Sequence, residues 1–353
     1  MGNIFTNYFK TYTVESVTEG HPDKICDQVS DAILDECLRQ DPKSRVAIES
    51  FGAHGLFIIG GEVTTHAKFD APKIAAKVYK EIGHTDKLKI VTNIIKQSPD
   101  IAMGVDTGGA GDQGIMYGFA TDETPEYLPR AVAMVHKLTR GLENLRKSKK
   151  IKWLLPDGKA QITMNGKNIK TVLVSAQHKK GVSIEEIRRE ITNKLIKKIV
   201  GDISGVDILV NPTGRFEVGG FTADTGLTGR KIMVDTYGGL IPHGGGCFSG
   251  KDPTKVDRSG AYMCRFAAKN LIAGGYGKSV LVSVAYAIGK AEPLMLRAIN
   301  EKGKDLTPLL KKNFDFRPLA IIERLDLQKP IYRQTATYGH FGRESFPWER
   351  LDS

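Results

Sequence analysis

Gly244-Gly-Gly-Cys-Phe-Ser-Gly250-Lys251-Asp252-Pro-Thr-Lys255-Val-Asp257 nearly spells a nucleotide phosphate loop and then breaks the rule at one position. From Gly245 it reads G-x-x-x-x-G-K, but Asp252 stands where a Ser or Thr hydroxyl would reach Mg²⁺. A carboxylate there would face a triphosphate at close range, which argues against ordinary P-loop geometry. The composition is still that of a phosphate site. It has glycines for close backbone approach, Lys251 and Lys255 as point charges, and two carboxylates able to hold a divalent ion.

Outward from this loop, a helix is expected from Asp257 or Arg258 to Gly274-Gly275, with Tyr262, Phe266, Leu271 and Ile272 directed inward. Val280 to Ile288 then alternates like a strand. Upstream, Asn211-Pro-Thr-Gly-Arg215-Phe216 leads through Asp224 to Gly229-Arg230-Lys231, where two cations beside a turn suit phosphate. Phe216 could stack on a purine, although a phenylalanine taken singly is more often core.

Glu19-Gly-His21-Pro22-Asp23-Lys24 opens a helix over 22–38, with Ile25, Val29, Ile33 and Cys37 at spacing four and Pro22 at the first helical position. Free N–H groups at its start favour a phosphate. There His21 either meets the phosphate or caps the helix. Asp23, Asp27 and Asp31 share one face, and two of the three are expected to be surface or structural carboxylates rather than ligands. Gly109-Ala-Gly-Asp112-Gln113-Gly114 matches G-x-G-x-x-G, but the flanks describe a loop entering a strand, not a dinucleotide fingerprint.

Val46 to Phe51 and Leu56 to Thr65, separated by Gly52-Ala-His-Gly55, read as paired strands. Ser183-Ile-Glu-Glu186 is a capping box opening a helix with Ile184, Ile187, Ile191, Leu195 and Ile199 as its buried stripe. Phe57-Ile-Ile-Gly-Gly-Glu-Val-Thr64 and Phe216-Glu-Val-Gly-Gly-Phe-Thr222 echo one another, as repeated domains would.

The whole is an α+β or α/β chain of 353 residues, long enough for two or three domains. Its net charge, 51 − 40 = +11, fits a polyanionic partner. Part of that surplus belongs to solvated runs, Lys147, Lys149, Lys150 and Lys152, and Lys194, Lys197 and Lys198. Cys26, Cys37, Cys247 and Cys264 lack metal or redox spacing and are expected as reduced thiols. With no membrane-length apolar run or leader, a cytoplasmic location is expected.

The chain resembles the S-adenosylmethionine synthetase family over nearly its whole length. The resemblance rests on Gly109 to Gly114 and Gly244 to Asp257. Around them fall Glu15 to Lys24, Lys96-Gln-Ser-Pro-Asp-Ile101, Asn211 to Phe216, Gly226-Leu-Thr-Gly-Arg-Lys231 and Tyr338-Gly-His-Phe-Gly-Arg343. It implies an α+β fold of three similarly built α/β-sandwich domains around a pseudo-threefold axis. As contiguous stretches these are 1–104, 105–217 and 218–353, with the true structural domains discontinuous.

The implied reaction joins methionine to ATP, with triphosphate leaving whole and then being hydrolysed. The resemblance places His21 beside the breaking bond, with Lys159, Arg230, Lys231, Lys251 and Lys255 on the triphosphate. It assigns ATP contacts to Asp157, Arg215, Phe216, Asp224 and Cys247, and methionine contacts to Glu62, Gln97, Asp112, Asp224 and Lys255. It assigns two Mg²⁺ ions to Asp23 and Asp257, and K⁺ to Glu49. It implies a homodimer, possibly a dimer of dimers, with Glu62, Gln97 and Asp112 supplied by the partner subunit. Between Gly104-Val-Asp106 and Gly109 only Thr107 and Gly108 remain, where the family carries a longer covering loop.

Two other classes fit less well. A nucleic-acid binder would interleave aromatics with its basic runs, and this chain does not. A P-loop-like kinase or ATPase would transfer the γ-phosphoryl group and leave ADP.

Overall fold

The computed structural model describes residues 10–96 and 108–352. In chain order the main elements are β1 (Thr11–Val17), α1 (Pro22–Gln40), β2 (Arg45–Ala53), β3 (Leu56–Thr64), α2 (Ala71–Ile82) and β4 (Lys89–Ile95). Next come β5 (Gly114–Thr121), α3 (Arg130–Lys147), β6 (Leu154–Asn165), β7 (Asn168–His178), α4 (Ile184–Ile191) and β8 (Asp207–Val210). The last are β9 (Gly226–Leu227), α5 (Val256–Ala273), β10 (Ser279–Tyr286), β11 (Met295–Asn300), α6 (Thr307–Asn313) and α7 (Pro318–Arg324).

The same order recurs three times: a long helix, an antiparallel hairpin and a second helix, as α1-β2-β3-α2, α3-β6-β7-α4 and α5-β10-β11-α6. In the first two repeats a strand then returns parallel to the hairpin, β4 beside β3 and β8 beside β7. The strand ahead of each long helix does not join its own sheet. β1 pairs antiparallel with β6, β5 with β10, and β9 with β2. Each repeat thus hands its leading strand to the next, and the third hands its strand back to the first. This cyclic exchange gives sheets β9-β2-β3-β4, β1-β6-β7-β8 and β5-β10-β11. It is the pseudo-threefold arrangement, and it ties the three units into one body.

Local chemistry explains the elements. In β2, Val46, Ile48, Ser50 and Gly52 are buried while their neighbours are more exposed, which is the period of a strand covered by helices on one face. Ser183 caps α4 by accepting the Glu186 N–H, and the helix continues through a π turn, Thr192–Ile196. α5 ends at Gly274 as its sequence predicts. Ile25, Val29, Ile33 and Cys37 of α1 are fully buried, and all four cysteines are free thiols.

Two expectations need correction. The Phe57 and Phe216 segments are not equivalent: the first is β3, whereas 216–219 is irregular and leads into a single 3₁₀ turn, Gly220–Thr222. The actual counterpart of β3 in the second repeat is β7. Phe216 is half-buried and lies outside the core. Asp23, Asp27 and Asp31 are at most 1% exposed, and two of the three are structural as expected: Asp27 accepts the Gly229 N–H and pairs with Lys24, and Asp31 pairs with Arg258.

Burial also holds His136 on α3 neutral. Desolvation, then the charges of Arg343 and Lys24, push it down to about 3, and Nδ1 lies 2.9 Å from the Ser16 hydroxyl. The unfolded chain takes up this proton near pH 6.5 and the folded chain only near 3. The associated stability is therefore present above pH 6.5 and lost as pH falls towards 3, by up to about 5 kcal/mol. We expect denaturant midpoints of a His136→Gln variant to fall less steeply than those of the wild type between pH 6.5 and 4. Parallel curves would refute this.

Candidate functional site

The turn between β1 and α1 carries the first cluster. Gly20 lies flat against Pro156, where a Cβ would come within 2.5 Å of the proline carbonyl carbon. That proline sits in an irregularity of β6 between Leu154 and Gly158, of the kind that re-aims side chains at a sheet end. The contact packs the strand carrying Asp157 and Lys159 against this turn, and the Lys159 charge reaches His21.

His21 is 2% exposed and caps α1, its Nδ1 accepting the Asp23 N–H at 3.2 Å. The capping reading of its position is the one observed. With Nδ1 used as acceptor, the neutral ring carries its proton on Nε2. Burial, then the charges of Lys231 and Lys159, push His21 down to about 3, so at neutral pH it is an uncharged donor.

Asp23 receives the Leu227 N–H at 3.0 Å and Arg230 Nε at 2.8 Å on one oxygen, and Lys231 Nζ at 2.5 Å on the other. Burial raises its carboxyl, but these donors outweigh it and hold the group below the usual carboxylate range. Asp157 is 5% exposed; its Oδ2 accepts the Gly220 N–H at 2.9 Å, and its Oδ1 is buried with no partner. Burial pushes this carboxyl up to about 6, with the charge of Asp224 acting in the same direction. Lys159, Arg215 and Asp224 are exposed. Phe216 is held at the end of β7 by its N–H on His178 Nε2 at 3.0 Å.

The second cluster surrounds the glycine-rich loop. Lys251 Nζ meets Asp257 Oδ2 at 2.5 Å, and its charge responds to Cys247, Asp257 and Asp112. Glu49 lies exposed on β2, its charge among those holding the half-buried Cys247 thiol up, after burial as the main cause. Glu62, half-buried on β3, pairs in register with Ala47, which bridges to Lys251. Cys247 packs against Gly229, where a Cβ would be 2.6 Å from the cysteine Cβ, so the two clusters adjoin.

The loop's chemistry differs from its sequence reading in two respects. Gly244 and Gly250 approach protein rather than ligand: a Cβ on Gly244 would lie 1.5 Å from the Ile115 carbonyl oxygen, and one on Gly250 1.9 Å from that of Ile48. Gly245, with φ 96°, is the one whose surroundings are open. Asp252 cannot serve a metal ion. It is fully buried and accepts the Val46 N–H, the Thr254 N–H and hydroxyl, and Lys255 Nζ. It ties the loop to β2, leaving Asp257, paired only with Lys251, as the carboxylate of the segment that is not buried.

Sequence models of three domains match the chain: the S-adenosylmethionine synthetase N-terminal domain over 9–99, the central domain over 107–216 and the C-terminal domain over 218–350. The chain belongs to the S-adenosylmethionine synthetase family. It is 48% identical to the S-adenosylmethionine synthase of Thermus thermophilus over 378 residues, covering 96% of this chain and 95% of that protein. It is 50% identical to that of Desulforudis audaxviator, covering 97% and 96%, and 49% identical to that of Pseudothermotoga lettingae, covering 98% and 97%. Alignments longer than the 353 residues of the chain mean that these relatives carry segments it lacks.

The synthetase fold brings His21, Asp23, Asp157, Lys159, Arg230 and Lys231 into one cluster, and Glu49, Asp112, Cys247, Lys251 and Asp257 into the other. Lys255 adjoins the second but spends its ammonium on Asp252. Gln97 and the loop residues 104–107 lie outside the described residues. Sequence reading missed the buried partners behind the site, Asp27 with Lys24 and Asp235, and Asp31 with Arg258. The one available signal was the recurrence of aspartate every four residues on a helix that is otherwise core.

Proposed function

We infer that this chain makes S-adenosylmethionine from ATP and L-methionine. The methionine sulfur attacks C5′ of the ribose, the C5′–O bond breaks, and its electron pair leaves on the triphosphate, which is then hydrolysed to pyrophosphate and phosphate. A thioether has no proton to lose, so the first step needs no general base. Negative charge grows on the departing oxygen, and fixed cations stabilise that charge more than they stabilise bound ATP.

The observation carrying this reading is the convergence of Lys159 and Lys231 on a neutral His21 whose Nε2–H is left to donate. His21 would hold the departing oxygen by hydrogen bonding, not protonate it. Arg230, Lys231, Lys159, Lys251 and Lys255 would share the triphosphate oxygens. Asp157 would meet the nucleotide with its unpartnered oxygen, with Arg215, Phe216, Asp224 and Cys247 completing the ATP site. Glu62, Gln97, Asp112, Asp224 and Lys255 would bind methionine.

Among the described residues no three His, Cys, Asp or Glu side chains are placed to hold a metal by themselves. Asp23 and Asp257 instead stand singly among cations, which suits Mg²⁺ bound by one carboxylate plus substrate phosphates. Two such ions would neutralise the triphosphate as it departs. Glu49 would hold K⁺.

The complete site is proposed to lie between two copies, with Glu62, Gln97 and Asp112 supplied by the partner subunit. Supporting this, the sheet face that presents Glu49 and Glu62 also exposes Val91 and Ile95, an apolar patch that a second copy would cover. No helix among the described residues is long and apolar enough to cross a membrane.

Incubation with ATP, methionine, Mg²⁺ and K⁺ is expected to yield S-adenosylmethionine, pyrophosphate and phosphate. ADP as the main nucleotide product, or turnover independent of methionine, would instead indicate a phosphoryl-transfer enzyme.

A further inference from the structure

Arg230 and Lys231 lie on a short turn between Gly229 and the helix Ile232–Asp235. Both ends of this turn are anchored to α1 by buried charged groups. At the near end, the Gly229 N–H donates to Asp27 Oδ1 at 2.9 Å, with Gly229 itself at φ 81°. At the far end, Asp235 donates its N–H to the Lys231 carbonyl at 2.8 Å and accepts Lys24 Nζ on its carboxylate. Lys24 closes the arrangement by donating to Asp27 Oδ2 at 2.8 Å. Lys24 and Asp27 are fully buried and Asp235 is 2% exposed. The His340 N–H holds the Asp235 carbonyl from the other side at 2.9 Å.

We propose that Lys24, Asp27 and Asp235 are positioning residues for the transfer reaction: together they fix the 229–235 turn so that Arg230 and Lys231 meet the departing triphosphate beside His21. This rests on the function proposed above. A buried ion triad is a poor means of gaining stability, since apolar side chains of the same volume often do as well. Its use is geometric. Lys24 immediately follows Asp23 on α1, so one helical turn sets both the carboxylate that the two cations touch and the ammonium that locates their backbone. Small displacements of charge at a reacting centre are costly to rate.

Asp235→Asn tests this, because it keeps the side-chain volume and leaves Lys24 and Asp27 balanced in charge. The variant is expected to bind inorganic triphosphate about tenfold more weakly by calorimetry and to lose about tenfold in kcat, with KM for methionine little changed. Glu349→Gln is the control. Glu349 is equally buried against Arg265 and Lys269 but makes no contact with the turn, so it should lower the melting temperature and leave triphosphate affinity intact. If Asp235→Asn behaves like Glu349→Gln, the positioning role is overturned. If the wild type makes no S-adenosylmethionine, the functional reading fails and this one fails with it.

Discussion

Lys231→Ala is expected to lower kcat by about 10²–10³-fold while moving the melting temperature by only a few degrees. The second half follows from what Lys231 leaves behind. Its ammonium sits on Asp23, but that carboxylate keeps Arg230 Nε and the Leu227 N–H on its other oxygen, so no buried charge is stranded. The first half follows from placement. Lys231 comes first among the charges that push His21 down, and under the function proposed above it would receive the departing oxygen beside that ring.

Lys255→Ala should behave differently. Lys255 neutralises Asp252, which is fully buried and pins the loop to β2. Burial works to raise that carboxyl, and Lys255 is the foremost group keeping it ionised. Its loss should cost stability as well as rate. Steady-state kinetics and thermal melts on the two variants decide the matter. Equal losses of stability, or a kcat for Lys231→Ala within fivefold of wild type, would remove Lys231 from the leaving-group site.

What could be read in the sequence was the part that local chemistry determines. α1 was legible because apolar residues recur every four positions behind a proline, α4 because Ser183 and Glu186 form a cap, and the β2–β3 hairpin because two β-branched runs flank Gly52 to Gly55. The site motifs were legible for a related reason: phosphate chemistry concentrates glycine, lysine and aspartate in short stretches.

The exchange of β1, β5 and β9 was not legible. β9 is two residues long, and β1 pairs with a strand some 150 positions away, so no local pattern carries the pairing. The same limit explains Asp252, which looks like a metal ligand until β2 is seen donating to it, and the glycines of the 244–250 loop, which look reserved for a ligand until β2 and β5 are seen beside them.

The largest loss of stability is expected at Asp31. Its carboxylate grips Arg258 through both oxygens, at 2.7 and 2.9 Å, and also accepts the Gly250 N–H at 2.8 Å. Three segments therefore meet on one side chain: α1, the glycine-rich loop and α5. Arg258 is fully buried over the Tyr332 ring, 4.2 Å from its centroid, and spends its other donors on Tyr262, Thr335 and the Lys251 carbonyl. Burial opposes its charge, and Asp31 is the first of the groups that overcome this. Asp31→Ala would strand that guanidinium in the interior, at a cost of about 3–5 kcal/mol, whereas replacing both partners by apolar residues should recover part of the loss. Asp31→Leu combined with Arg258→Met should thus be more stable than Asp31→Ala alone, as read from denaturant midpoints. Recovery should stay incomplete, because the Gly250 N–H loses its partner and Tyr262 and Thr335 each lose one of theirs in the double variant. A single variant destabilised by less than about 1 kcal/mol would mean that water or a rearranged loop reaches Arg258, and that the joint between the first and third repeats is looser than its geometry implies.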